Sequence, residues 1–212
     1  MTQAYIFDMD GTLFKTHLIL EPALEATFTE LRKQQLWSGA TPLQVYREIM
    51  GVPLPVVWQT LCPHLSTEQQ KQANRFFQLA LIDEIESGRG SLYEDVETTL
   101  TRLAQDYPLH IASNGNLPYL EAIVKTFQLQ YTFTSVHSID AIASGNKSEL
   151  VQSILDDFGY TNAIVIGDRL SDFKAAKDNN LSSVGVDFDF AQIEELKQAD
   201  RVIKKFSELL IG

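Results

Sequence analysis

The chain has 212 residues, 44% of them hydrophobic and 21% charged, and a formal net charge of -11. That length accommodates one large domain or two modest ones, with enough interior for a well-buried core. The acidic balance argues against a general nucleic-acid or anionic-membrane binder, since both polyanions would repel it, and the one cysteine, Cys62, excludes an intrachain disulfide.

The first residues, MTQAYIFDMD, lack a basic start, a long apolar stretch and a small-residue cleavage site. No apolar run approaches the roughly 18 residues that a membrane span requires. The expectation is a cytoplasmic protein without membrane or nucleic-acid partners, and protein partners are not legible. In that compartment the sequon Asn146-Lys147-Ser148 is accidental.

In chain order, the first element is a short apolar run, AYIF from Ala4, that reads as a strand covered on both faces. Residues 16–90 follow and are helix-like throughout. Pro22, Pro42 and Pro53 read as helix starts, because proline is favoured in a first turn. Trp37, Trp58, Phe76 and Phe77 are expected to pack the small core of this segment rather than stack on a ligand. Gly88-Arg89-Gly90 forms the junction back to an alternating pattern. There, LHIAS from Leu109, AIVIG from Ala163, SVGV from Ser183 and RVI from Arg201 read as strands. Amphipathic stretches at 95–105, 117–127, 148–158 and 172–179 read as helices. Strand–helix alternation predicts α/β architecture, a doubly wound, mainly parallel Rossmann-like sheet. Residues 1–15 and 91–212 would form this core, and residues 16–90 an inserted all-helical domain.

The chemistry is concentrated where strands end. Asp8-Met9-Asp10-Gly11-Thr12-Leu13 follows the first strand directly, and open α/β sheets bind ligands beyond the carboxyl ends of their strands. Two carboxylates there repel unless a cation or proton intervenes. Gly167-Asp168-Arg169-Leu170-Ser171-Asp172 follows another buried strand. By itself Asp172 reads equally as a helix cap. With the first motif it supplies four carboxylates at two strand ends, hard oxygen donors of the kind that suits Mg²⁺. Ser113-Asn114-Gly115 ends a third strand, where a hydroxyl and backbone N–H groups can hold phosphate oxygens. Alone it reads as a turn, just as Lys147 alone reads as a solvated charge.

These pieces, in this order, resemble the haloacid dehalogenase-like superfamily, in particular its phosphoglycolate phosphatase-like branch with a helical cap. The Asp-x-Asp-x-Thr-Leu string is specific to that superfamily, and the resemblance spans nearly the whole chain. It implies that Asp8 is the nucleophile and Asp10 the general acid/base. It implies that Ser113 and Lys147, with Asn114 and Thr12, meet the transferring phosphate, Thr12 also buttressing the Asp10 loop. Mg²⁺ would be held by Asp8, Asp10 through its main-chain carbonyl, Asp168 and Asp172. The implied substrate is a small phosphorylated metabolite.

Two positions depart from the family pattern: Ser148 stands where many relatives have proline, and Asn180 where many have glycine. Arg47, in the segment where related caps place a loop facing the active site, is a candidate for substrate specificity. Arg169 has no assigned role. A phosphomutase of the same superfamily is the nearest rival reading. A dehalogenase would lack Asp10, a phospho-receiver domain would phosphorylate an Asp on a later strand and carry no large cap after the first, and a silent binding module would not carry the full catalytic set.

Overall fold

The computed structural model describes residues 3–49, 54–189 and 191–211. The chain divides into two compact units, one made of Met1–Thr16 with Ser91–Gly212, the other of His17–Gly90.

The first unit is built on a six-stranded parallel sheet. Its strands are β1 (Gln3–Phe7), β2 (Leu109–Ser113), β3 (Ser135–Ser138), β4 (Asn162–Gly167), β5 (Ser182–Val186) and β6 (Arg201–Ile203). Their order across the sheet is β3-β2-β1-β4-β5-β6. β1 lies inside, hydrogen-bonded to β2 on one side and β4 on the other. Alternation within β1 splits its side chains between two layers. Ala4 and Ile6 join a buried cluster with Ala112, Leu150, Val151, Ile154 and Ala175, which places α7 (Lys147–Phe158) and α8 (Leu170–Asp178) on that face. Tyr5 and Phe7 point the other way, Tyr5 against Tyr107 and Phe7 against Phe133 and Phe206. Sheet strands covered on both faces read as the continuous apolar runs seen in the sequence.

β3 was not expected. Its sequence, SVHS, is short and polar, and its first three residues are only partly buried. It is an edge strand, and an edge needs little apolar surface to pair with its one neighbour. The helix expected from residue 172 starts earlier, at Leu170. Asn180 takes the left-handed conformation, φ +56°, just beyond α8. Asparagine adopts that conformation at modest cost. Ser148 is buried, and its hydroxyl donates to Asp178 at 2.7 Å, tying α7 to α8 where proline would offer nothing.

The second unit contains α1 (His17–Lys33), α2 (Leu43–Glu48), α3 (Leu54–Leu61) and α4 (Thr67–Glu86), and no strand among its described residues. Pro22 does not start a helix but lies within α1. Burial of Ile19, Ala23, Leu24, Phe28 and Leu31 along one face carries the helix through it. Pro42 does sit at a helix start, as the residue before α2, and Pro53 lies outside the described residues. α4 opens with a capping box in which Ser66 and Gln69 satisfy each other's backbone donors. Trp58 and Phe77 are fully buried and meet edge to face, and Trp37 packs edge to face on Phe28. Phe76 is only partly buried.

The two connections to the helical unit are paired with each other inside the α/β unit. Lys15 N–H donates to the Ser91 carbonyl at 2.9 Å, Tyr93 N–H to the Leu13 carbonyl at 3.0 Å, and Phe14 bridges antiparallel to Leu92.

Candidate active site

Parallel register puts the C-terminal ends of β2, β1 and β4 side by side, so Ser113, Asp8 and Asp168 issue from the same edge of the sheet. Asp8 N–H is still in the ladder, donating to the Ile166 carbonyl at 2.8 Å. The turn after it closes through donation from Leu13 and Phe14 N–H to the Met9 carbonyl. Gly11 is needed in that turn for two reasons. Its φ is +74°, and a Cβ there would stand 2.6 Å from Asp168 Oδ2.

Asp8, Asp168 and Asp172 are all buried, and each offers an oxygen within 4.8 Å of the others'. Lys147, first residue of α7 and also buried, contacts Asp8 Oδ1 at 2.7 Å and Asp172 Oδ1 at 2.5 Å. Burial alone would lower the Lys147 ammonium, but the Asp172 and Asp8 carboxylates outweigh it and hold the pKa above the usual lysine value. Burial, together with the nearby Asp8 carboxylate, pushes Asp168 and Asp172 upward. Three carboxyl groups answered by one ammonium leave the cluster short of positive charge. That donor set fits a hard divalent cation.

The fourth carboxylate does not converge with these three. Asp10 Oδ1 instead accepts two hydroxyls, Thr16 at 2.5 Å and Tyr119 at 2.5 Å. Three of the four carboxylates at the two strand ends thus cluster through their side chains, while the Asp10 side chain is held by these two hydroxyls and its expected metal contact is through the main-chain carbonyl. The Asp10 carboxyl is raised to about 6, by burial first and by the Asp8 charge second.

The remaining expected site residues are placed as follows. Thr12 is fully buried, its hydroxyl 3.4 Å from Asp168 Oδ1. Ser113 is buried, and its hydroxyl accepts from Gly115 N–H at 3.2 Å, while Asn114 is exposed. Asp172 also accepts from Arg169 N–H at 3.0 Å, so the capping role holds alongside membership of the cluster. Arg169 pairs with Glu195 at 3.1 Å, and the same carboxylate takes the Leu170 N–H, securing the start of α8. Arg47 lies in the helical unit, exposed, with its guanidinium on both oxygens of Glu21 at 2.5 and 2.8 Å. Residues 50–53 of its segment lie outside the described residues.

Sequence reasoning missed Thr16 and Tyr119. Thr16 follows the first motif closely enough to have been considered. Tyr119 stands 109 positions from Asp10 and looks like one more apolar residue on a helix, so no local spacing marks it.

Comparison with known proteins identifies the family. The family described as haloacid dehalogenase-like hydrolase matches residues 5–186. The chain is 24% identical over 210 residues to pyrophosphatase PpaX of Listeria monocytogenes, covering 97% of this chain and 93% of the relative. It is 24% identical over 234 residues to protein CbbY of Cereibacter sphaeroides, covering 99% and 94%. Among solved structures, a haloacid dehalogenase-like hydrolase from Streptococcus pneumoniae superposes with a TM-score of 0.80 at 22% identity, covering 99% and 97% of the two chains. CbbY from Rhodobacter sphaeroides in complex with phosphate superposes with a TM-score of 0.74 at 20% identity, covering 99% and 96%. A mutant of that CbbY has been solved with xylulose-(1,5)bisphosphate.

Proposed function

The chain belongs to the haloacid dehalogenase-like hydrolase family, and on that premise we propose that it is a Mg²⁺-dependent phosphatase acting on a small phosphomonoester through a phosphorylated Asp8. The observation that carries this reading is the buried cluster in which Lys147 touches both Asp8 and Asp172 while Asp168 shares the same edge. Asp8 attacks phosphorus, splitting one difficult displacement into two easier ones. Asp10 gives a proton to the leaving oxygen, then takes one from the attacking water. Lys147 balances charge on the phosphoryl oxygens, and Ser113 and Asn114 offer a hydroxyl and an amide to the same group. Asp8, Asp168, Asp172 and the Asp10 carbonyl would hold Mg²⁺, which offsets the repulsion between the nucleophile and the phosphate dianion. The helical unit would serve as the cap that selects the leaving group, with Arg47 as its candidate specificity residue.

The names of the relatives suggest two chemistries for a substrate panel, pyrophosphate and sugar bisphosphates. The test is release of inorganic phosphate from such a panel, with Mg²⁺ and with chelator. Mg²⁺-dependent release from at least one ester is expected, with the phosphoryl group going to water rather than to a second sugar. If no ester in the panel yields phosphate in saturating Mg²⁺, the reading is wrong.

A further inference from the structure

Asp10 has a second partner that the two-carboxylate motif does not account for. Tyr119 is the third residue of α6 (Leu117–Thr126), is 4% exposed, and sends its hydroxyl to Asp10 Oδ1 at 2.5 Å. Thr16 donates to that same oxygen. A carboxylate oxygen has two lone pairs in its plane, so two hydroxyl donors fill Oδ1. With both hydroxyls on Oδ1, Oδ2 is the oxygen left open to carry or receive a proton.

The local sequence is built to hold the ring there. Asn116 caps α6 by accepting from Tyr119 N–H at 3.0 Å, and Pro118 lies in the first turn. At position 115 a Cβ would stand 3.0 Å from Tyr119 Cδ1 and 3.1 Å from Leu120 Cδ2, so any larger residue would press on the ring by a few tenths of an ångström. Ser138 in turn donates to the Gly115 carbonyl at 2.7 Å. Burial, followed by the Asp10 charge, raises the Tyr119 hydroxyl well above its ordinary pKa, so it donates and does not ionise.

We infer that Tyr119 is a positioning residue for the acid/base carboxylate, fixing Asp10 by one oxygen so that the other, Oδ2, transfers the proton. The inference rests on the phosphatase reading above. In the first half-reaction the Asp8–phosphorus bond forms and the bond from phosphorus to the leaving oxygen breaks, while the Oδ2 proton moves to that oxygen. Asp10 is left as a carboxylate whose new charge is received by the two hydroxyls on Oδ1. In the second half-reaction a water proton moves to Oδ2 as the water oxygen displaces Asp8 from phosphorus. Leaving groups that need a proton depend on this orientation, and those that are already weak bases depend on it less.

The experiment is Tyr119→Phe, which removes one oxygen and keeps the ring. Rapid-mixing rates of Asp8 phosphorylation are read for the best alkyl phosphate of the panel and for p-nitrophenyl phosphate on the same preparation. The alkyl rate should fall about 10- to 100-fold, the range for losing a hydrogen bond to a charged group, with KM changed little. The p-nitrophenyl rate should fall at least several-fold less, so the ratio of the two rates shifts. Misfolding scales both rates alike and leaves that ratio fixed, so it cannot imitate the effect. Gly115→Ala, which pushes on the ring without touching Asp10, should shift the ratio in the same direction. Equal losses for both esters, or no loss with an active wild type, overturn the positioning role alone. A wild type inactive on every ester overturns the phosphatase reading and this inference with it.

Discussion

In the α/β unit the ion pairs that matter are among its most deeply buried contacts, Lys147 against Asp8 and Asp172. In the helical unit the pairs Arg47–Glu21 and Arg32–Glu25 lie out in solvent, and the interior is filled by Trp58, Phe28 and Phe77. Glu84, buried against the exposed Arg89, is a partial exception. A buried charge loses its hydration and needs a matched partner, whereas an exposed pair exchanges water for little gain. The same residue types therefore carry different weight in the two regions. One region keeps its charges dry because the proposed chemistry needs them strong, and the other keeps them wet because its core is held by apolar packing.

The widest separation between the regions should come from the nucleophile. Asp8→Asn is nearly isosteric and should abolish turnover while circular dichroism stays that of the wild type. A folded variant that keeps more than a small fraction of the rate would remove the covalent mechanism. Next in size is Lys147→Ala, which strands two buried carboxylates and should cost about 3–5 kcal/mol in denaturant unfolding. Arg32→Ala, in the helical unit, should cost no more than about 1 kcal/mol. Comparable losses would show that burial does not set the value of these pairs.

A pH scan probes a third place, the opposite end of β2. His110 is fully buried, with Ser135 at 2.7 Å and Tyr160 at 3.1 Å on its two ring nitrogens, and its pKa is lowered to about 4 by burial first and by His137 second. His137 is lowered by burial as well. The unfolded chain takes up a proton near pH 6.5, and the folded chain does so only near pH 4. Stability should therefore be fully present above the unfolded value and fall as pH drops between the two, by at most roughly 3 kcal/mol for His110. His110→Asn should flatten that slope. A profile unchanged by the substitution would place the acid sensitivity elsewhere.

Smaller again is Asp168→Asn. It relieves repulsion among three buried carboxylates, so the metal-free protein should gain a few degrees in Tm, on the order of 1 kcal/mol. The stabilisation of the wild type by Mg²⁺ should shrink or vanish in this variant. A variant that still gains Tm with Mg²⁺ as the wild type does would exclude Asp168 from the site. The least effect on stability belongs to Arg47→Ala, whose ion pair with Glu21 lies in solvent, and Tm should stay that of the wild type. If Arg47 selects substrate, KM for the best panel ester should rise while p-nitrophenyl phosphate is unaffected. Equal changes would leave it a surface pair with Glu21.

The sequence was most legible where physics forces a pattern that repeats. Strands covered on both faces must be apolar throughout, and β1, β2, β4 and β5 announce themselves that way. Ligand chemistry must sit at strand ends, so Asp8, Ser113 and Asp168 could be placed on one edge before any coordinates. β3 escaped because an edge strand with half-exposed residues carries no such signature. Pro22 misled because local propensity gave way to the buried face of α1. The direction of a side chain is not written in spacing either. Asp8 and Asp10 look equivalent in the motif, yet one faces Lys147 and the other turns to Thr16 and Tyr119.

The paired connections around Lys15 and Ser91 give the molecule a sealed seam. With Phe14 bridged to Leu92 and Tyr93 tied to Leu13, the chain leaves and returns to the sheet as the stem of a hairpin, and the whole helical unit is the hairpin's loop. A loop closed by its own stem asks little of its host, because the entropy of bringing its ends together grows only slowly with length. The stem thus makes the site portable. Inserts of different size and sequence can be accommodated at the same two residues without redesigning the strand ends where the buried charges are set.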